Sequence, residues 1–210
     1  SIQDLVSATV ISGLTIANAY ATGFGGGVYV DGSGVTIENC LFTGCSANNG
    51  AAIWIDSSPT GVNIRDCTFE NGSVLLSGGA IYARDCSSDS LITNCQFLGN
   101  YAESSGGAMA FHTVTNMDIT DCLFSGNDAN TWYGGGTALD AQSEVRFINC
   151  LFIDNTAAGM NSGGAISTES DSNSQIYNCT FNGNESVYGT TGGALRFADT
   201  SSGFILNSIL

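Results

Sequence analysis

The chain repeats itself every 26 to 29 residues, and this period constrains its fold more than any other feature. One apolar column, mostly Phe, consists of Ile16, Phe42, Phe69, Phe97, Phe124, Phe152, Phe181 and Leu210. Two residues earlier, a column of mostly Cys consists of Leu14, Cys40, Cys67, Cys95, Cys122, Cys150, Cys179 and Ser208. Periods of about 20 to 50 residues are typical of solenoids, in which each repeat packs only on its neighbours.

Two further columns complete the repeated unit. An Ile column stands three residues before the Cys column and consists of Ile11, Ile37, Ile64, Ile92, Ile119, Phe147, Ile176 and Ile205. A paired Gly has its second member at Gly27, Gly79, Gly107, Gly136, Gly164 and Gly193, with Ala51 in the remaining repeat. Segments such as Gly78–Ala83 and Ser90–Asn94 are short and rich in β-branched and aromatic residues, which indicates strands.

These columns predict an all-β fold, a single right-handed parallel β-helix of about seven to eight rungs with three short strands per rung. Stacked rungs would bury the Ile, Cys and Phe columns in one continuous core. The 28 Gly and single Pro favour many short strands joined by tight bends over helices. We expect residues 1–210 to form one domain cut from a longer surface protein.

The residue before each Cys is predicted to form a corner. The inward Ile and the inward Cys are separated by an odd number of positions, so the strand must bend between them. Gly, Asn and Asp enter the left-handed region most readily. They occupy this column at Gly13, Asn39, Asp66, Asn94, Asp121, Asn149, Asn178 and Asn207. Stacked Asn amides in such a column can hydrogen-bond from rung to rung.

Three residues after the Phe, four repeats place an Asn: Asn100, Asn127, Asn155 and Asn184. Cys45 and Gly72 replace it in two others. The loop that follows is the least repetitive part of each unit and includes Trp132 and Tyr133. Recognition residues concentrate on loops held by a rigid scaffold, so these loops are predicted to be displayed for binding.

Two short motifs in these repeats resemble those of a known group of proteins. GGAI occurs at Gly78–Ile81 and Gly163–Ile166, and FxxN at Phe97–Asn100, Phe124–Asn127 and Phe181–Asn184. These motifs resemble the repeats of polymorphic outer-membrane proteins and other bacterial secreted or surface β-helices of pectin-lyase-like fold. The resemblance implies an extracellular or cell-surface stalk, passenger or filament that adheres to partners. The motifs specify core and corner residues, so they imply the fold more strongly than any activity.

Charge excludes one class of partner. The chain has 19 acidic residues against four arginines and no lysine, for a net charge of −15. Nucleic acid would be repelled, because phosphate binding requires clustered Lys and Arg. No run of 18 or more apolar residues is present, so no membrane span is predicted in this chain. End-to-end self-association, other surface proteins and polysaccharide remain as candidate partners.

Neighbouring side chains of the Cys column would stack at the strand spacing of about 4.8 Å, wider than a disulfide prefers between Cβ atoms. We therefore expect mainly free, buried thiols that act as small hydrophobic groups. Paired bridges are the main alternative, and a metal chain is another. Cys45 and Cys86 lie outside the column and are predicted to be exposed thiols or links between chains.

Catalysis is considered because pectate-lyase-like and polygalacturonase-like enzymes share this fold. A lyase needs a positioned Arg or Lys base, and a glycoside hydrolase needs two carboxylates flanking the bond. The arginines fall in four different rungs, and the single His, His112, has no counterpart in other repeats. No catalytic residue is predicted. Convergence of several carboxylates with an Arg on one face of the solenoid would favour the enzymatic or polysaccharide-binding alternative.

Trp54 and Tyr82 are the candidate ligand-binding residues. They stand three residues beyond the Gly pair in adjacent rungs, in a column predicted to point outward, where they could stack on a sugar ring. The alternative is that a loop or another chain covers them. No cofactor and no metal site are predicted. Ca²⁺ stays open, because acidic residues such as Asp31, Asp56, Asp140, Glu169 and Asp171 follow the Gly-led strand without a calcium motif.

Together these observations favour a non-catalytic, extracellular structural or adhesive β-helix that displays variable loops. The alternative is a polysaccharide-binding or polysaccharide-degrading β-helix.

Overall fold

The computed structural model describes residues 2–3, 9–32, 34–58, 61–87, 89–160, 162–188 and 192–209. Over these residues the chain forms a parallel β-solenoid of about seven turns, built from strands. Each strand pairs in parallel with its counterpart one turn away, so four sheets run along the solenoid. This confirms the predicted all-β parallel β-helix. In this part of the chain no helix has the length and apolar character needed to cross a membrane. Leu210, the last member of the Phe column, lies outside the described residues.

The four sheets are named A to D in this text. Sheet A comprises Ile2–Gln3, Val28–Asp31, Ile53–Asp56, Ile81–Arg84, Met109–His112, Thr137–Asp140, Ile166–Thr168 and Leu195–Phe197. Sheet B comprises Thr9–Ser12, Val35–Glu38, Val62–Arg65, Ser90–Thr93, Met117–Thr120, Glu144–Ile148, Asn173–Tyr177 and Ser202–Leu206. Sheet C comprises Thr15–Ala17, Leu41–Thr43, Thr68–Glu70, Gln96–Leu98, Leu123–Ser125, Leu151–Ile153 and Thr180–Asn182. Sheet D comprises Ser46–Ala47, Ser73–Val74, Tyr101–Ala102, Asp128–Ala129, Thr156–Ala157 and Glu185–Ser186.

The Phe column fills the interior behind sheet C, as predicted. Six rings from Phe42 to Phe181 stack face to face, with centroids 4.6 to 5.0 Å apart. This distance matches the strand spacing of about 4.8 Å, so identical rings in successive rungs repeat at contact distance. All six are buried. Burying each ring contributes roughly 1.5–3 kcal/mol, which makes this stack a main source of stability.

The corner column is also confirmed. All its members, from Gly13 to Asn207, have positive φ values between 51° and 69°. Some of their side chains also form hydrogen bonds between neighbouring rungs, from an Asn amide to the side-chain oxygen of the adjacent Asp or Asn. The Asn94 amide donates to Asp66 Oδ1 at 2.5 Å, and the Asn178 amide donates to Asn149 Oδ1 at 3.3 Å. The column therefore serves both as the bend and as an outer hydrogen-bond ladder.

The Asn residues that follow the Phe column form a second, buried ladder. Asn127 is 0% exposed. Its side-chain amide donates to Asn155 Oδ1 at 2.9 Å and to the Phe97 carbonyl at 3.0 Å, and its backbone N–H donates to Asn155 Oδ1 at 3.1 Å. These bonds offset the cost of burying a polar amide, which is large when the group is left unpaired.

Complete rungs carry a fourth strand in addition to the three predicted. The strands of sheet D are two residues long and begin directly after the buried Asn position, inside the segment interpreted as loop. Two residues of pairing leave too short a hydrophobic pattern to be recognised in the sequence.

The Gly column is misaligned in two repeats. Val28 pairs with Ile53, and Thr137 pairs with Met109, so Gly26 and Gly135 align with Gly79 rather than Gly27 and Gly136. A run of three Gly residues in each of these repeats made the alignment ambiguous. At Gly79 a side chain is excluded, because a Cβ there would lie 1.9 Å from the Gly107 carbonyl oxygen. The outward column consequently contains Tyr29 and Ala138, where Val30 and Leu139 were expected.

All eight cysteines are free thiols and buried, which confirms the expectation for the six in the column. The prediction for Cys45 and Cys86 is wrong, because their exposed fractions are only 2% and 1%. Cys45 occupies the inward position that Asn takes in other rungs. Cys86 follows the strand that ends at Arg84, and its thiol donates to the Arg84 carbonyl at 3.2 Å. Burial raises the pKa of both thiols, so neither forms a thiolate readily.

Candidate functional site

The outer face of sheet A carries outward side chains that differ from rung to rung, and it includes the predicted residues Trp54 and Tyr82, so it is the candidate site. Trp54 lies there, but its exposed fraction is only 2%. Its ring is stacked between Phe24, with centroids 4.2 Å apart, and Tyr82, at 4.5 Å. The Arg84 guanidinium lies 5.4 Å from its ring centroid. Trp54 therefore presents no open ring face, and sugar stacking stays a prediction for half-buried Tyr82 alone.

Phe24 explains this burial. It belongs to the loop that precedes the Gly-led strand of its rung, and it is 45% exposed while its ring covers Trp54. The sequence left open that a loop would cover the aromatic pair, and here a loop residue does so. Burial raises the pKa of Tyr82, and it also raises the pKa of Tyr29, the neighbour of Trp54 in the strand register.

Two residues beyond the aromatic column lies a row of ionisable side chains. Register places Asp31 beside Asp56, Asp56 beside Arg84, Arg84 beside His112, and His112 beside Asp140. The Arg84 guanidinium donates to both oxygens of Asp56, at 3.3 and 2.6 Å, and also lies 3.4 Å from Asp85. His112 Nδ1 lies 3.7 Å from Asp140 Oδ2. Several carboxylates and an Arg therefore converge on one face.

The sequence placed Asp31, Asp56 and Asp140 after the Gly-led strand, but it did not place Arg84 and His112 in the same row. His112 was judged isolated because its neighbours in the row stand 28 residues away along the chain. The signal that could have revealed it is the residue closing each strand of sheet A, since all five members end their strands. Aligning the repeats on strand ends rather than on the Gly pair would have brought them together.

The row has the charges of a catalytic site without its spacing. Asp56 and Asp140 stand three rungs apart, about 14 Å at the strand spacing, whereas paired carboxylates of glycosidases lie about 5–9.5 Å apart. Asp31 is closer to Asp56, but Asp56 is engaged by Arg84. The hydrogen bonds that Arg84 donates to Asp56 also raise the pKa of Arg84, which makes Arg84 a poorer base. The geometry favours ion pairing over proton transfer.

Each of the four arginines pairs with a carboxylate of the preceding rung. The pairs are Arg65 with Glu38, Arg84 with Asp56, Arg146 with Asp118, and Arg196 with Glu169. The last pair is the most enclosed, since Glu169 is 2% exposed. Burial raises the pKa of Glu169, and Arg196 opposes that shift. The arginines act as links between successive rungs.

Among the described residues, no three or more His, Cys, Asp or Glu side chains form a group that could hold a metal ion. The carboxylates of the row are spread along the solenoid rather than gathered around one point.

A parallel solenoid with repeated inner columns and a variable outer surface is the architecture of the β-helix proteins. Residues 4–164 match the family described as the right-handed β-helix region, which is more than half of the chain. The chain therefore belongs to the right-handed β-helix family. Neither the curated proteins nor the solved structures contain a significant match to it.

Proposed function

We propose that this chain is a non-catalytic structural and adhesive β-helix, exposed outside the cell, that displays its loops to other surface molecules. The observation that carries the proposal is a row of exposed apolar side chains in the loops leading from sheet D back to sheet A. We call this row the loop edge, and it consists of Leu75, Leu76, Trp132, Met160, Val187 and Tyr188. The extracellular location rests on the resemblance of the repeat motifs to secreted and surface proteins.

The loop edge is suited to contact with a partner. Met160 is 77% exposed and Tyr188 is 73% exposed, although each lies within a solenoid whose inward apolar residues are almost completely buried. Thr131, Trp132, Tyr133 and Met160 line a hollow of about 280 Å³ at this edge. Glu103 and Ser104 separate Leu75 and Leu76 from the other members, so the hollow at Trp132 and Met160 is the main apolar part of the edge. Exposed apolar surface rimmed by polar residues is typical of interaction sites. The edge also coincides with the loops that the sequence predicted to carry recognition residues.

The arginine pairs support the non-catalytic part of the proposal. A lyase needs a cationic side chain that is available to the substrate, but each arginine here is bound to a carboxylate. Freeing one would leave its carboxylate unpaired, and for buried Asp56 and Glu169 that is costly. The pairs therefore favour a role in holding rungs together.

Adhesion can be tested with beads coated with the purified chain on films of mucin, cellulose and collagen. We expect wild-type beads to adhere to at least one film, and the Trp132→Ser, Met160→Ser double variant to detach at several-fold lower shear. Thr36→Ser, on the outer face of sheet B, is the control and should behave as wild type. If wild-type beads adhere to none of the three films, the adhesive function is overturned. Turnover of any polysaccharide by the purified chain would overturn the non-catalytic part of the proposal.

End-to-end self-association belongs to the same proposal. The outer rungs expose members of the inward columns, including Leu14 at one end and Ile205 at the other, beside strand edges able to template pairing. Sedimentation velocity over a wide concentration range tests this. A single monomeric species at all concentrations would exclude it.

Polysaccharide binding is the second candidate function. It is supported by the convergence of Asp31, Asp56, Arg84, His112 and Asp140 beside Tyr82 on the outer face of sheet A. A glycan array combined with a lyase and hydrolase screen tests it, and loss of array binding in Tyr82→Ala would locate the ligand on this face.

A further inference from the structure

A groove on the outer face of sheet B combines aromatic rings with amide groups. It lies across the last two strands of the sheet, far along the solenoid from Trp54. Its volume is about 410 Å³, and it is lined by Asn173, Gln175, Tyr177, Ser202, Gly203 and Phe204.

Strand alternation directs these side chains outward. Ser174 and Ile176 point inward and are completely buried, so Asn173, Gln175 and Tyr177 between and beside them face out. Register places the next strand's Phe204 beside Gln175. Phe204 is 52% exposed. The Phe204 ring therefore lies on the outer face of the sheet among polar groups.

The rings and amides are arranged as a shallow cleft. The Tyr177 and Phe204 centroids are 5.8 Å apart, with the ring planes inclined by 49°. The Tyr177 hydroxyl donates to Gln175 Oε1 at 3.0 Å. This bond orients the Gln175 side chain so that its NH₂ group points away from the tyrosine. Aromatic faces accept the C–H face of a pyranose ring, while amides and hydroxyls bond to its hydroxyl groups.

The groove is uncharged in a chain of net charge −15. Its lining contains no Asp, Glu, Lys, Arg or His. The nearest cation on this face is Arg146, beside Gln175 in the register, and its Nε and Nη2 atoms donate to Asp118 at 2.5 and 2.6 Å. A polyuronide would meet no unpaired cation here and would be repelled by the field of the protein.

We infer that this groove binds a neutral pyranose chain. The inference extends the polysaccharide-binding candidate to a second surface, on sheet B and apart from the charged face of sheet A, and it gives this surface a substrate class. It does not depend on adhesion through the loop edge. The ring cleft supplies stacking for one sugar unit, and Asn173, Gln175 and Ser202 supply hydrogen bonds to its hydroxyls.

The test is a nuclear magnetic resonance titration of the full chain with the hexaoses of glucose, mannose and xylose, and with hexagalacturonate. We expect at least one neutral hexaose to shift the side-chain amide signals of Asn173 and Gln175, with saturation. Phe204→Ala should weaken that binding about tenfold, the scale of one aromatic stacking contact. Gln175→Glu keeps the groove's shape, adds a charge and should also weaken it.

Tyr20→Ala is the matched control, because Tyr20 is 71% exposed and lies at the opposite end of the solenoid. The Tyr20→Ala variant should bind the hexaose as tightly as the wild type does. The inference is overturned if no neutral hexaose moves the two amide signals, if hexagalacturonate binds more tightly, or if Phe204→Ala binds as well as Tyr20→Ala. If no hexaose shifts the Asn173 and Gln175 amide signals but Phe204→Ala beads still adhere, sugar binding in the groove is rejected. Adhesion through the loop edge is then unaffected.

Discussion

The interior behind sheet C and the outer face of sheet A share one repeat period but use it differently. Inside, Phe follows Phe from rung to rung with parallel rings. Outside, the column that begins with Tyr29 and Trp54 changes to small residues and ends with Arg196. An inward side chain must fit between neighbours about 4.8 Å above and below it, whereas an outward one is limited only by the loop that covers it. The repeated columns therefore maintain the fold, and the non-repeated ones are available for function.

The largest expected effect comes from opening the Phe stack. Phe124→Ala removes a ring packed between two others and should destabilise the chain by about 3–5 kcal/mol. Phe42→Ala should cost less, because Phe42 has a stacked ring on one side and Ile16 on the other. Tyr82→Ala, on the outer face, should cost least. Urea unfolding measures all three, and equal losses would contradict a division between a cooperative interior and a permissive exterior.

The buried Asn ladder should rank next. Asn127→Ala leaves the Phe97 carbonyl and the Asn100 amide without their partner, so we expect a loss of about 2–3 kcal/mol. The matched variant is Asn149→Ala in the exposed corner ladder, where water replaces the lost bonds. It should cost only the strain of a positive φ, about 1–2 kcal/mol. If Asn149→Ala proves the more damaging in thermal unfolding, burial is not what distinguishes the two ladders.

Ion pairs on the outer faces should contribute less. Arg84→Gln leaves Asp56, which is 8% exposed, with only the Ser57 hydroxyl as a hydrogen-bond donor and no cation, and should destabilise by about 1–2 kcal/mol. Arg146→Gln removes a more exposed pair and should cost less than about 1 kcal/mol. Raising the salt concentration should shrink the Arg146 effect more than the Arg84 effect. The same salt response in both variants would show that Asp56 is effectively solvated.

The smallest effect concerns a contact on the outside of sheet D. The Glu103 carboxylate accepts a hydrogen bond from the Tyr101 hydroxyl and raises the pKa of Tyr101 to about 12. The stabilisation from this bond is present below the ordinary tyrosine pKa of about 10 and is lost as pH rises through about 12. Glu103→Gln should return the Tyr101 pKa toward about 10. Difference absorbance of tyrosinate between the two proteins measures this, and identical titration curves would contradict it.

Much of the fold could be predicted because its determinants recur. Asn94, Cys95 and Phe97 have counterparts at the same spacing in most repeats, and each took the predicted place at a corner or in the core. Sheet D was missed because its two-residue strands have no periodic pattern. Gly27 was misaligned because three consecutive glycines offer two equivalent registers.

The candidate site was less predictable. Trp54 and Tyr82 were correctly placed on the outer face, but Phe24, which covers Trp54, comes from a loop whose length and sequence differ between repeats. His112 was judged isolated, although it stands between Arg84 and Asp140 in the folded chain. The sheet B groove depends on Tyr177 and Phe204, which belong to no repeated column.

The period, the parallel β-helix and the inward columns could be predicted from the residues alone, because a side chain that recurs once in each repeat packs against its own copies. Which non-repeated side chains meet on the outer faces became known only from the folded chain. Such partners are a whole rung apart in sequence, and a register change of one residue moves a side chain to the other face of the sheet. The ion row, the covered Trp54 and the sheet B groove all depend on that register.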